Sequence, residues 1–425
     1  MRTPANGELI WVQSGDRVTM FLYISAAGGI PRAARRRARV SNVVVPVIRA
    51  IPKRGVVYRH PTRVSVHHGE IAAGPVFAVL AAGDGASFKG NRGDFRAIAA
   101  TGRSRRAFVY VLPADRVRPG DWWEGYVRLG PGRWVAIPCP WPEAVYNRIP
   151  NRMLERHPVS VHAKHVLGAL DIPVFNPGYF DKSVIYQIIQ RAGLHRYLPE
   201  SATDLGAPVL HQLLSQHEGV YLKPTGGSIG HGIIRIDRKG RGFRLAALKH
   251  GRCHIYLAAN WQQLWRLVCR HRLAGRYVIQ AAVPLIRYQG RPCDFRVLLQ
   301  KRDSGWHVVG KGVRVAGRNT ITTHVPNGGH IASASEVLTS VFGEDGERVD
   351  QHVDEMAIAC AEAIDAYYGQ RLGEMSMDIG VDAGGSPWFF EANSKPMKFD
   401  EPDIWNRSLA GVLDYLQTLA RRTAR

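Results

Sequence analysis

Two acidic residues near the C-terminus, Asp378 and Glu391, have the spacing of facing positions on a β-hairpin. They lie on strand-like segments that flank Gly384-Gly385, a dipeptide that favours a two-residue turn. Such a turn pairs Asp378 with Glu391, and Asn393 then projects from the same face. Facing carboxylates repel each other unless a cation lies between them. An acidic pair with an amide is an oxygen set that Mg²⁺ accepts, so the hairpin predicts a metal site.

The opposite face of this hairpin is apolar and is predicted to be core. Its residues alternate with the polar ones along both segments: Met375, Met377, Ile379, Val381, Trp388, Phe390 and Ala392. One face is therefore expected to pack and the other to do chemistry. A surface hairpin with an incidental acidic pair is the alternative, and the hairpin alone does not exclude it.

A glycine-rich loop lies upstream, between strand-like segments at 219–224 and 233–236. Its backbone N–H groups can approach an anion closely because glycine tolerates positive φ. No Gly-Lys-Ser/Thr follows and the next segment is strand-like, which excludes a P-loop. A loop between strands has no helix dipole, so a side chain such as Lys223 is expected to help hold phosphate. A plain glycine-rich turn is the alternative for this loop taken alone.

Further cations lie on the strand-like segments between the loop and the hairpin. Asp294 and Arg296 alternate with apolar neighbours and share a polar face, and Lys311 and Arg314 follow on the next segment. We expect these residues to present fixed positive charge on one predicted sheet. A solvated charged face is the alternative reading of each cation taken singly.

The collinear order of these motifs resembles that of the ATP-grasp superfamily. It is most similar to the YheC/YheD-type, endospore coat-associated branch, over roughly residues 74 to 400. The motifs that carry this resemblance are Tyr-Leu-Lys-Pro at 221–224 followed by Gly-x-Gly, Asp-Phe-Arg at 294–296, Lys-x-Val-Arg at 311–314, Met-Asp-Ile-Gly-Val-Asp at 377–382 and Glu-Ala-Asn-Ser-Lys-Pro at 391–396. Upstream motifs agree with the same branch: residues 74–80, 145–150 with Glu155, 174–177, Asp181-Lys182 and 197–200.

The resemblance implies ATP and Mg²⁺ as cofactors and gives each candidate residue a role. Lys223 and Lys182 would hold the α- and β-phosphates. The loop residues would fold over the triphosphate: Gly226, Gly227, Ser228, Gly230 and Gly232. His231 stands where relatives are expected to carry Lys or Arg, so phosphate clamping by that side chain is not implied.

The remaining implied roles concern adenine, the metal and the reacting groups. Adenine would be read by backbone groups of the connector that contains Gln280, Ala281 and Val283. The metal ligands would be Asp378, Glu391 and Asn393. The cations facing the γ-phosphate or the acceptor would be Arg296, Arg314 and Lys311.

The activity that the resemblance implies is that of a carboxylate–amine ligase. In such enzymes a carboxylate attacks the γ-phosphate and an amine captures the resulting acyl phosphate. The expected acceptor is an acidic small molecule, peptide or polymer, in keeping with a net charge of +22. Two alternatives stay open. One is a non-catalytic spore-coat or anionic-polymer-binding protein that retains the fold, and the other is an ATP-grasp kinase.

A chain of 425 residues is long enough for two or three domains. The predicted fold class is α/β (α+β), with an ATP-grasp fold over residues 177–425 and its adenine site between two subdomains near 280–284. A small parallel α/β domain is predicted at 74–176, and a β-rich appendage at 1–73. Helices are predicted after Asp181, before Gly369 and at the C-terminus.

Charge and cysteine usage give weaker expectations. An arginine cluster at 32–39 could dock an anionic polymer or be a solvated loop, and without a nucleic-acid-binding signature we do not expect nucleic acid as a partner. The five scattered cysteines predict a reducing compartment rather than disulfides, hence the cytoplasm, or the mother cell or spore coat of a spore former. No signal-type segment and no run of about 18 apolar residues occurs, so no membrane span is expected.

Overall fold

The chain folds into a closed barrel followed by three open sheets, in the part that the computed structural model describes. That part comprises residues 5–25, 37–67, 70–225, 231–249, 252–317, 321, 323 and 328–423. The α-helices are α1 (Arg92–Ser104), α2 (Arg152–Arg156), α3 (Pro158–Ala169), α4 (Lys182–Arg191), α5 (Ala207–Gln216), α6 (Trp261–His271), α7 (Ala334–Phe342), α8 (Gly346–Tyr367) and α9 (Pro402–Thr423).

The predicted β-rich appendage is a barrel with strand order β1-β2-β4-β3-β6-β5. Its strands are β1 (Ala5–Ser14), β2 (Arg17–Ile24), β3 (Arg37–Val40), β4 (Val43–Ile48), β5 (Val56–His67) and β6 (Glu70–Gly74). Alternate residues such as Leu9, Trp11 and Leu22 point inward and are fully buried, as the two-residue period of a strand requires. Most of the arginine cluster, residues 32–36, lies outside the described residues.

The second sheet has the order β11-β10-β9-β7-β12-β13. Its strands are β7 (Val76–Gly83), β8 (Phe88–Lys89), β9 (Phe108–Pro113), β10 (Trp122–Arg128), β11 (Trp134–Pro140), β12 (Ala144–Asn147) and β13 (Val174–Phe175). β9, β7, β12 and β13 are parallel, which confirms the predicted parallel α/β unit. Both faces of β7 are buried: Ala78 packs with the barrel core, whereas Phe77 packs with α1 and α9.

The third sheet is antiparallel and has the order β14-β19-β15-β16-β17-β18. Its strands are β14 (Ser201–Ala202), β15 (Gly219–Pro224), β16 (Ile234–Lys239), β17 (Gly242–Lys249), β18 (Arg252–Ala258) and β19 (Tyr277–Ala281). Leu210 of α5 and Leu264 of α6 pack against one face. β15 and β16 pair directly, so the glycine-rich loop connects two strands as predicted.

The fourth sheet has the order β23-β22-β21-β24-β25, with β20 beside β21. Its strands are β20 (Arg287–Tyr288), β21 (Arg291–Arg302), β22 (Gly305–Val315), β23 (His330–Ser333), β24 (Glu374–Val381) and β25 (Pro387–Asn393). One face packs against α4, α7 and α8. The side chain of Asp181 caps α4 by accepting from Ser183 N–H and Val184 N–H, which confirms the predicted helix start.

The β24–β25 hairpin differs from the prediction at its turn. The side chain of Asp382 accepts from Gly384 N–H and Ser386 N–H, and this stabilises a longer loop at residues 383–385. The predicted two-residue turn is therefore wrong. A bulge restores the pairing further along, so that Asp378 still faces Glu391.

The bulge also changes which aromatic residue of β25 is core. Phe389 pairs with Ile379 and is fully buried, whereas Phe390 is the extra residue on its strand and lines the cleft described below. The prediction that Trp388 and Phe390 belong to the apolar face is wrong, because strict alternation fails across a bulge. Trp388 pairs with Gly380, is half-buried and donates from its indole N–H to Asp382 at 2.9 Å.

The C-terminal helix α9 joins the second and fourth sheets. Leu413 shares a core with Phe77 of β7, and Ile404 packs with Leu298 of β21. Arg105, at the end of α1, donates to the carbonyl oxygen of Ala410 in α9 at 3.2 Å. The division of the chain at residues 73 and 176 stays a prediction, and α9 packs across the second of those boundaries.

The five cysteines are free thiols in this structure. Cys139, Cys293 and Cys360 are buried, and burial raises the pKa of Cys293 and of Cys360 to about 12. No helix among the described residues combines the length and apolar character needed to cross a membrane.

Candidate active site

A cleft of about 1590 Å³ lies between the third and fourth sheets. It brings together most of the predicted site residues: Lys182, Lys223, Gln280, Ala281, Val283, Arg296, Arg314, Asp378, Glu391 and Asn393. The cleft exceeds the roughly 300–1,000 Å³ typical of a pocket for one small ligand, so it has room for a nucleotide and a second substrate.

The glycine-rich loop is only partly described. Gly226, Gly227, Ser228 and Gly230 lie outside the described residues. Gly232 has a φ of 79°, a conformation that favours glycine, and its carbonyl oxygen accepts from the Tyr277 hydroxyl at 3.0 Å. This contact fixes the downstream end of the loop against β19.

The acidic pair lies where the two strands of the hairpin adjoin. Asp378 is directly opposite Glu391, and Asn393 is opposite Ser376 on the same strands. Asp378 is buried, whereas Glu391 and Asn393 are half-buried, and all three line the cleft. The predicted pairing is confirmed, and the role of the three residues as metal ligands stays a prediction.

Each acid of the pair contacts a cation in this structure. Arg314 forms two hydrogen bonds to Asp294, at 2.9 and 2.8 Å, and lies 3.0 Å from Asp378. Lys182 lies 3.1 Å from Glu391. Burial favours a lower pKa for Arg314, but its two carboxylate partners outweigh burial and raise the pKa above its usual range. Arg314 is therefore a permanent charge held between two acids.

Lys223 contrasts with Arg314 because its ammonium group has a neutral partner. It donates to the side-chain oxygen of Gln280, whose amide in turn donates to the Tyr186 hydroxyl. The ammonium also lies 5.4 Å from the ring centroid of Phe390. Burial lowers the pKa of Lys223 to about 8, and the charge of Lys182 adds to the shift. An incompletely compensated buried cation favours binding of an anion.

The connector after β19 has one backbone donor available to a ligand. Ala281 N–H donates to Glu200 and Ala282 N–H donates to Gly219, at 2.8 and 2.9 Å between nitrogen and carbonyl oxygen. Val283 N–H has no acceptor among the residues that the structure describes. Because Val283 lines the cleft, its N–H is the donor of this connector that can meet a nucleobase.

Arg296 of β21 is paired in the sheet with Asp378 of β24. Its guanidinium donates to the carbonyl oxygens of Met397 at 2.7 Å and Lys398 at 3.4 Å, and lies 4.1 Å from the ring centroid of Phe399. Burial lowers the pKa of Arg296 below its usual value. These contacts fix the side chain with neutral groups, so its positive charge can serve an anion in the cleft.

The structure does not bring Lys311 to the cleft. Its ammonium lies 2.7 Å from both Asp350 and Asp354 of α8, on the opposite face of the sheet. Lys311 and Arg314 are an odd number of positions apart on one strand, so their side chains point to opposite faces. The expectation that both cations share a face is therefore wrong.

The hairpin fits a magnesium ion by the chemistry of its donors. Among the described residues, no three acidic, histidine or cysteine side chains cluster as a metal held by such protein groups alone would require. Mg²⁺ is commonly bound by one or two carboxylates together with substrate phosphates. The oxygens of Asp378, Glu391 and Asn393 supply such a partial set, and Lys182 and Arg314 balance the two acids here.

Two contributors to the cleft were not among the predicted site residues. Tyr186 of α4 completes the chain from Lys223 through Gln280, and Asp294 holds Arg314. The alternation of Asp294 with apolar neighbours indicated a polar face, so its position had a signal. Tyr186 had none, because only tertiary packing brings α4 to β19.

Fold and cleft define the class of protein. A cleft between two β-sheets with room for a nucleotide and a second substrate, a half-buried lysine on one sheet and paired acids on the other, is the arrangement of an ATP-grasp protein. The chain matches a protein-family model described as "YheC/D like ATP-grasp" over residues 171–419. It belongs to the YheC/D-like ATP-grasp family.

Two curated relatives are similar to the chain. The endospore coat-associated protein YheD of Bacillus subtilis (strain 168) is 27% identical over 365 residues, which cover 82% of this chain and 78% of YheD. The endospore coat-associated protein YheC of the same organism is 24% identical over 220 residues, which cover 50% of this chain and 59% of YheC.

Solved structures with similarity to this chain include enzymes of known class. The D-alanine-D-alanine ligase from Coxiella burnetii aligns with a TM-score of 0.47 and 11% identity, covering 82% of this chain and 96% of the ligase. The D-cycloserine synthetase DcsG aligns with a TM-score of 0.46 and 16% identity, covering 82% and 99% of the two chains.

Proposed function

We propose that the protein is an ATP- and Mg²⁺-dependent ligase that joins an acceptor carboxylate to an amine. The observation that carries this proposal is the pairing of Asp378 with Glu391 in the same cleft as the half-buried Lys223. A cation without a carboxylate partner is suited to a phosphate, and facing acids are suited to a metal. Membership of the YheC/D-like ATP-grasp family supports the same cofactors.

The nucleotide would lie along the third sheet. Lys223 and Lys182 would contact its α- and β-phosphates, and the described end of the glycine-rich loop at Gly232 would border the triphosphate. Val283 N–H, beside Gln280 and Ala281, would donate to the adenine ring. Lys182 would exchange its contact with Glu391 for a phosphate when the metal takes up that acid.

The fourth sheet would supply the reacting end of the cleft. Asp378, Glu391 and Asn393 would bind Mg²⁺, which when bound neutralises charge on the phosphates and aligns them for in-line transfer. Arg296 and Arg314 would hold the γ-phosphate and stabilise the charge that develops during transfer. None of these residues forms a covalent bond with the substrate.

The proposed reaction has two steps. An oxygen of the acceptor carboxylate bonds to the γ-phosphorus while the bond from that phosphorus to the β,γ-bridging oxygen breaks, which releases ADP. The amine nitrogen then attacks the acyl carbon, loses a proton and displaces inorganic phosphate. An acidic small molecule, peptide or polymer is the acceptor class that the net charge of +22 favours.

A screen of amino acids, acidic peptides and anionic polymers tests this proposal. Each candidate is incubated with ATP, Mg²⁺ and a set of amines, and both ADP and inorganic phosphate are measured. We expect one acceptor class to give ADP and phosphate in equal amounts. ADP without phosphate would instead indicate a kinase, and the Asp378→Asn variant provides the inactive control.

A second candidate function is a spore-coat or anionic-polymer-binding protein that retains the ATP-grasp fold without turnover. The name of YheD, an endospore coat-associated protein, favours it. Under this alternative, no acceptor would stimulate ADP formation. The protein would nevertheless be retained on an anionic polymer in a salt-dependent way.

A further inference from the structure

Three upstream motifs have no role in the nucleotide and metal contacts proposed above. They are the segment 145–150, Glu155 and the segment 174–177. The structure brings all three to one loop at residues 394–398, which begins directly after the predicted metal ligand Asn393. We refer to this segment as the 394–398 loop.

Upstream side chains hold the backbone of the 394–398 loop. The side-chain amide of Asn176, a fully buried residue, donates to the carbonyl oxygen of Ser394. Arg148 donates from Nη1 to the carbonyl oxygen of Pro396 at 3.0 Å. In return, the Ser394 hydroxyl donates to the carbonyl oxygen of Gly178 at 2.8 Å. Arg148 and Asn176 thus fix the backbone that directly follows the predicted metal ligand Asn393.

The charged side chain of this loop also contacts the upstream segment. Lys395, whose side chain is only 3% exposed, forms an ion pair with Glu155 and donates to the carbonyl oxygen of Ile149 at 3.1 Å. Glu155 is itself held by Lys164 at 2.6 Å and by the amide of Asn147 at 3.0 Å. The loop is therefore anchored by backbone and side chain together.

The far end of the 394–398 loop contacts the reacting end of the cleft. The carbonyl oxygens of Met397 and Lys398 accept from Arg296. The near end is continuous with Asn393, which is paired with Ser376 in the hairpin. The loop thus connects the predicted metal ligand with the predicted anion-binding arginine.

Arg148 is unsuited to bind a substrate itself. Its side chain is 11% exposed and its charge is balanced by Asp94 at 3.1 Å and Glu374 at 3.9 Å. Its Nη1 group also donates to Pro396 and to the Tyr146 hydroxyl. A buried, balanced arginine that donates to a loop carbonyl acts on the cleft through that loop.

We propose that Arg148, Glu155 and Asn176 are positioning residues that set the geometry of Asn393 and Arg296 through the 394–398 loop. The segment that contains these residues, 145–177, then contributes to the predicted metal site rather than forming a separate module. This inference rests on the proposed function, in which Asn393 binds the metal and Arg296 holds an anion. Partners that orient metal ligands typically change metal affinity by about 10–100-fold when removed.

Binding of Mn²⁺ to the complex of the full-length protein with ADP, followed by electron paramagnetic resonance, tests the proposal without an acceptor. The test variant is Arg148→Lys, which keeps a positive charge for Asp94 but lacks the second guanidinium nitrogen that donates to Pro396. We expect its Mn²⁺ affinity to fall about tenfold. Its affinity for ADP without metal should equal that of the wild type, because the adenine contacts lie on the third sheet.

Arg105→Lys is the matched control. Arg105 likewise contacts a carbonyl oxygen and an acid further along the chain, but these belong to Ala410 and Asp414 of α9 and lie away from the 394–398 loop. We expect its Mn²⁺ affinity to be unchanged. Ser394→Ala, which removes the hydroxyl contact with Gly178, should weaken Mn²⁺ binding in the same direction and provides the test if Arg148→Lys does not fold.

The outcomes separate this inference from the function on which it rests. The positioning role alone would be overturned if the wild-type protein binds Mn²⁺ with ADP and the folded Arg148→Lys and Ser394→Ala variants bind it with unchanged affinity. Wild-type protein that takes up no Mn²⁺ with ADP would overturn the proposed metal site, and the positioning role with it.

Discussion

The two sheets that enclose the cleft carry opposite arrangements of charge. The third sheet contributes Lys223, whose ammonium donates to a neutral amide and whose pKa burial lowers to about 8. The fourth sheet contributes Arg314 between Asp294 and Asp378, with its pKa raised because the ion pairs outweigh burial. One side holds a cation whose direct partner is a neutral amide, and the other holds Arg314, which two acids already balance.

This difference indicates how each side would use a ligand. A half-buried ammonium whose direct partner is an amide gains from any anion that replaces solvent, so the third sheet is suited to the phosphates. Paired acids and arginines gain only when a metal and a phosphate together replace their present partners. Binding at the two sides should therefore be coupled, with the metal needed on one side and the nucleotide on the other.

The largest effect is expected from Asp378→Asn and Glu391→Gln, each of which removes one carboxylate of the facing pair on the fourth sheet. We expect each to weaken Mg²⁺ binding in the nucleotide complex by more than about 100-fold, since removing a ligand should exceed the 10–100-fold effect of removing an outer partner. ATP turnover with any accepted substrate should be lost. Measurement combines calorimetry with an ADP assay.

The fold should survive both substitutions. Asp378→Asn leaves Arg314 its partner Asp294, and Glu391→Gln affects only the half-buried Lys182. Thermal unfolding checks this directly. A variant that unfolds would favour a structural role for the pair, and a folded variant with normal turnover would remove the metal assignment.

The next largest effect is expected from Lys223→Met on the opposite side. A hydrogen bond to a charged group is worth about 1.5–3 kcal/mol, so ATP affinity should fall by roughly 10- to 100-fold. The methionine side chain fills similar space and removes the charge together with the hydrogen bond to Gln280. Calorimetric titration with ATP and Mg²⁺ gives the number, and unchanged affinity would show that the phosphates do not lie against the third sheet.

The pH dependence of ATP binding should distinguish Lys223 of the third sheet from Arg314 of the fourth sheet. The pKa of Lys223 is about 8 in the free protein, so the ammonium that favours phosphate is lost as pH rises through 8. ATP affinity should then decline, approaching about tenfold per pH unit for one linked proton. Arg314 stays charged over this range. Lys395, which is paired with Glu155, also lines the cleft, and burial lowers its pKa to about 8 as well. Lys223→Met should therefore show a smaller decline than the wild type between pH 7 and 9, measured by the same titration.

The smallest effect on binding is expected from Lys311→Met, because Lys311 lies behind the fourth sheet. Its loss leaves Asp350 and Asp354 without their shared cation, and burial already raises the pKa of Asp354. We expect the free energy of unfolding to fall by about 1–3 kcal/mol. ATP affinity should stay at the wild-type value. Denaturant unfolding and calorimetry measure the two quantities, and a large loss of affinity would return Lys311 to the site.

Local patterns predicted the parts of this site that depend on strand alternation and capping. The cap at Asp181 and the strand–loop–strand around Gly232 follow from short stretches of sequence. The opposition of Asp378 and Glu391 was predicted from a two-residue turn that is wrong, and a bulge restores the pairing. Lys311 was assigned to the same face of the sheet as Arg314, although their odd spacing on one strand predicts opposite faces. The turn was wrong because the side chain of Asp382 stabilises a longer loop.

Long-range contacts were beyond any local pattern. Tyr186 reaches Gln280 and Arg148 reaches Pro396 only because separate sheets pack together. The packing of α9 against two sheets is likewise a tertiary result, since its apolar stripe indicates burial without naming the partner. The motif at 145–150 was visible in the sequence, but its contact with the 394–398 loop was not.

The most direct test of the central claim is calorimetric titration of the wild-type protein with ATP, in the presence and in the absence of Mg²⁺. Without the metal, Asp378 and Glu391 keep Arg314 and Lys182 as partners, which withholds both cations from the triphosphate, so binding should be weak. With Mg²⁺ the affinity should rise by at least about tenfold, which corresponds to 1.4 kcal/mol. Equal affinity under the two conditions would contradict a cleft that joins an anion-binding sheet to a metal-binding one.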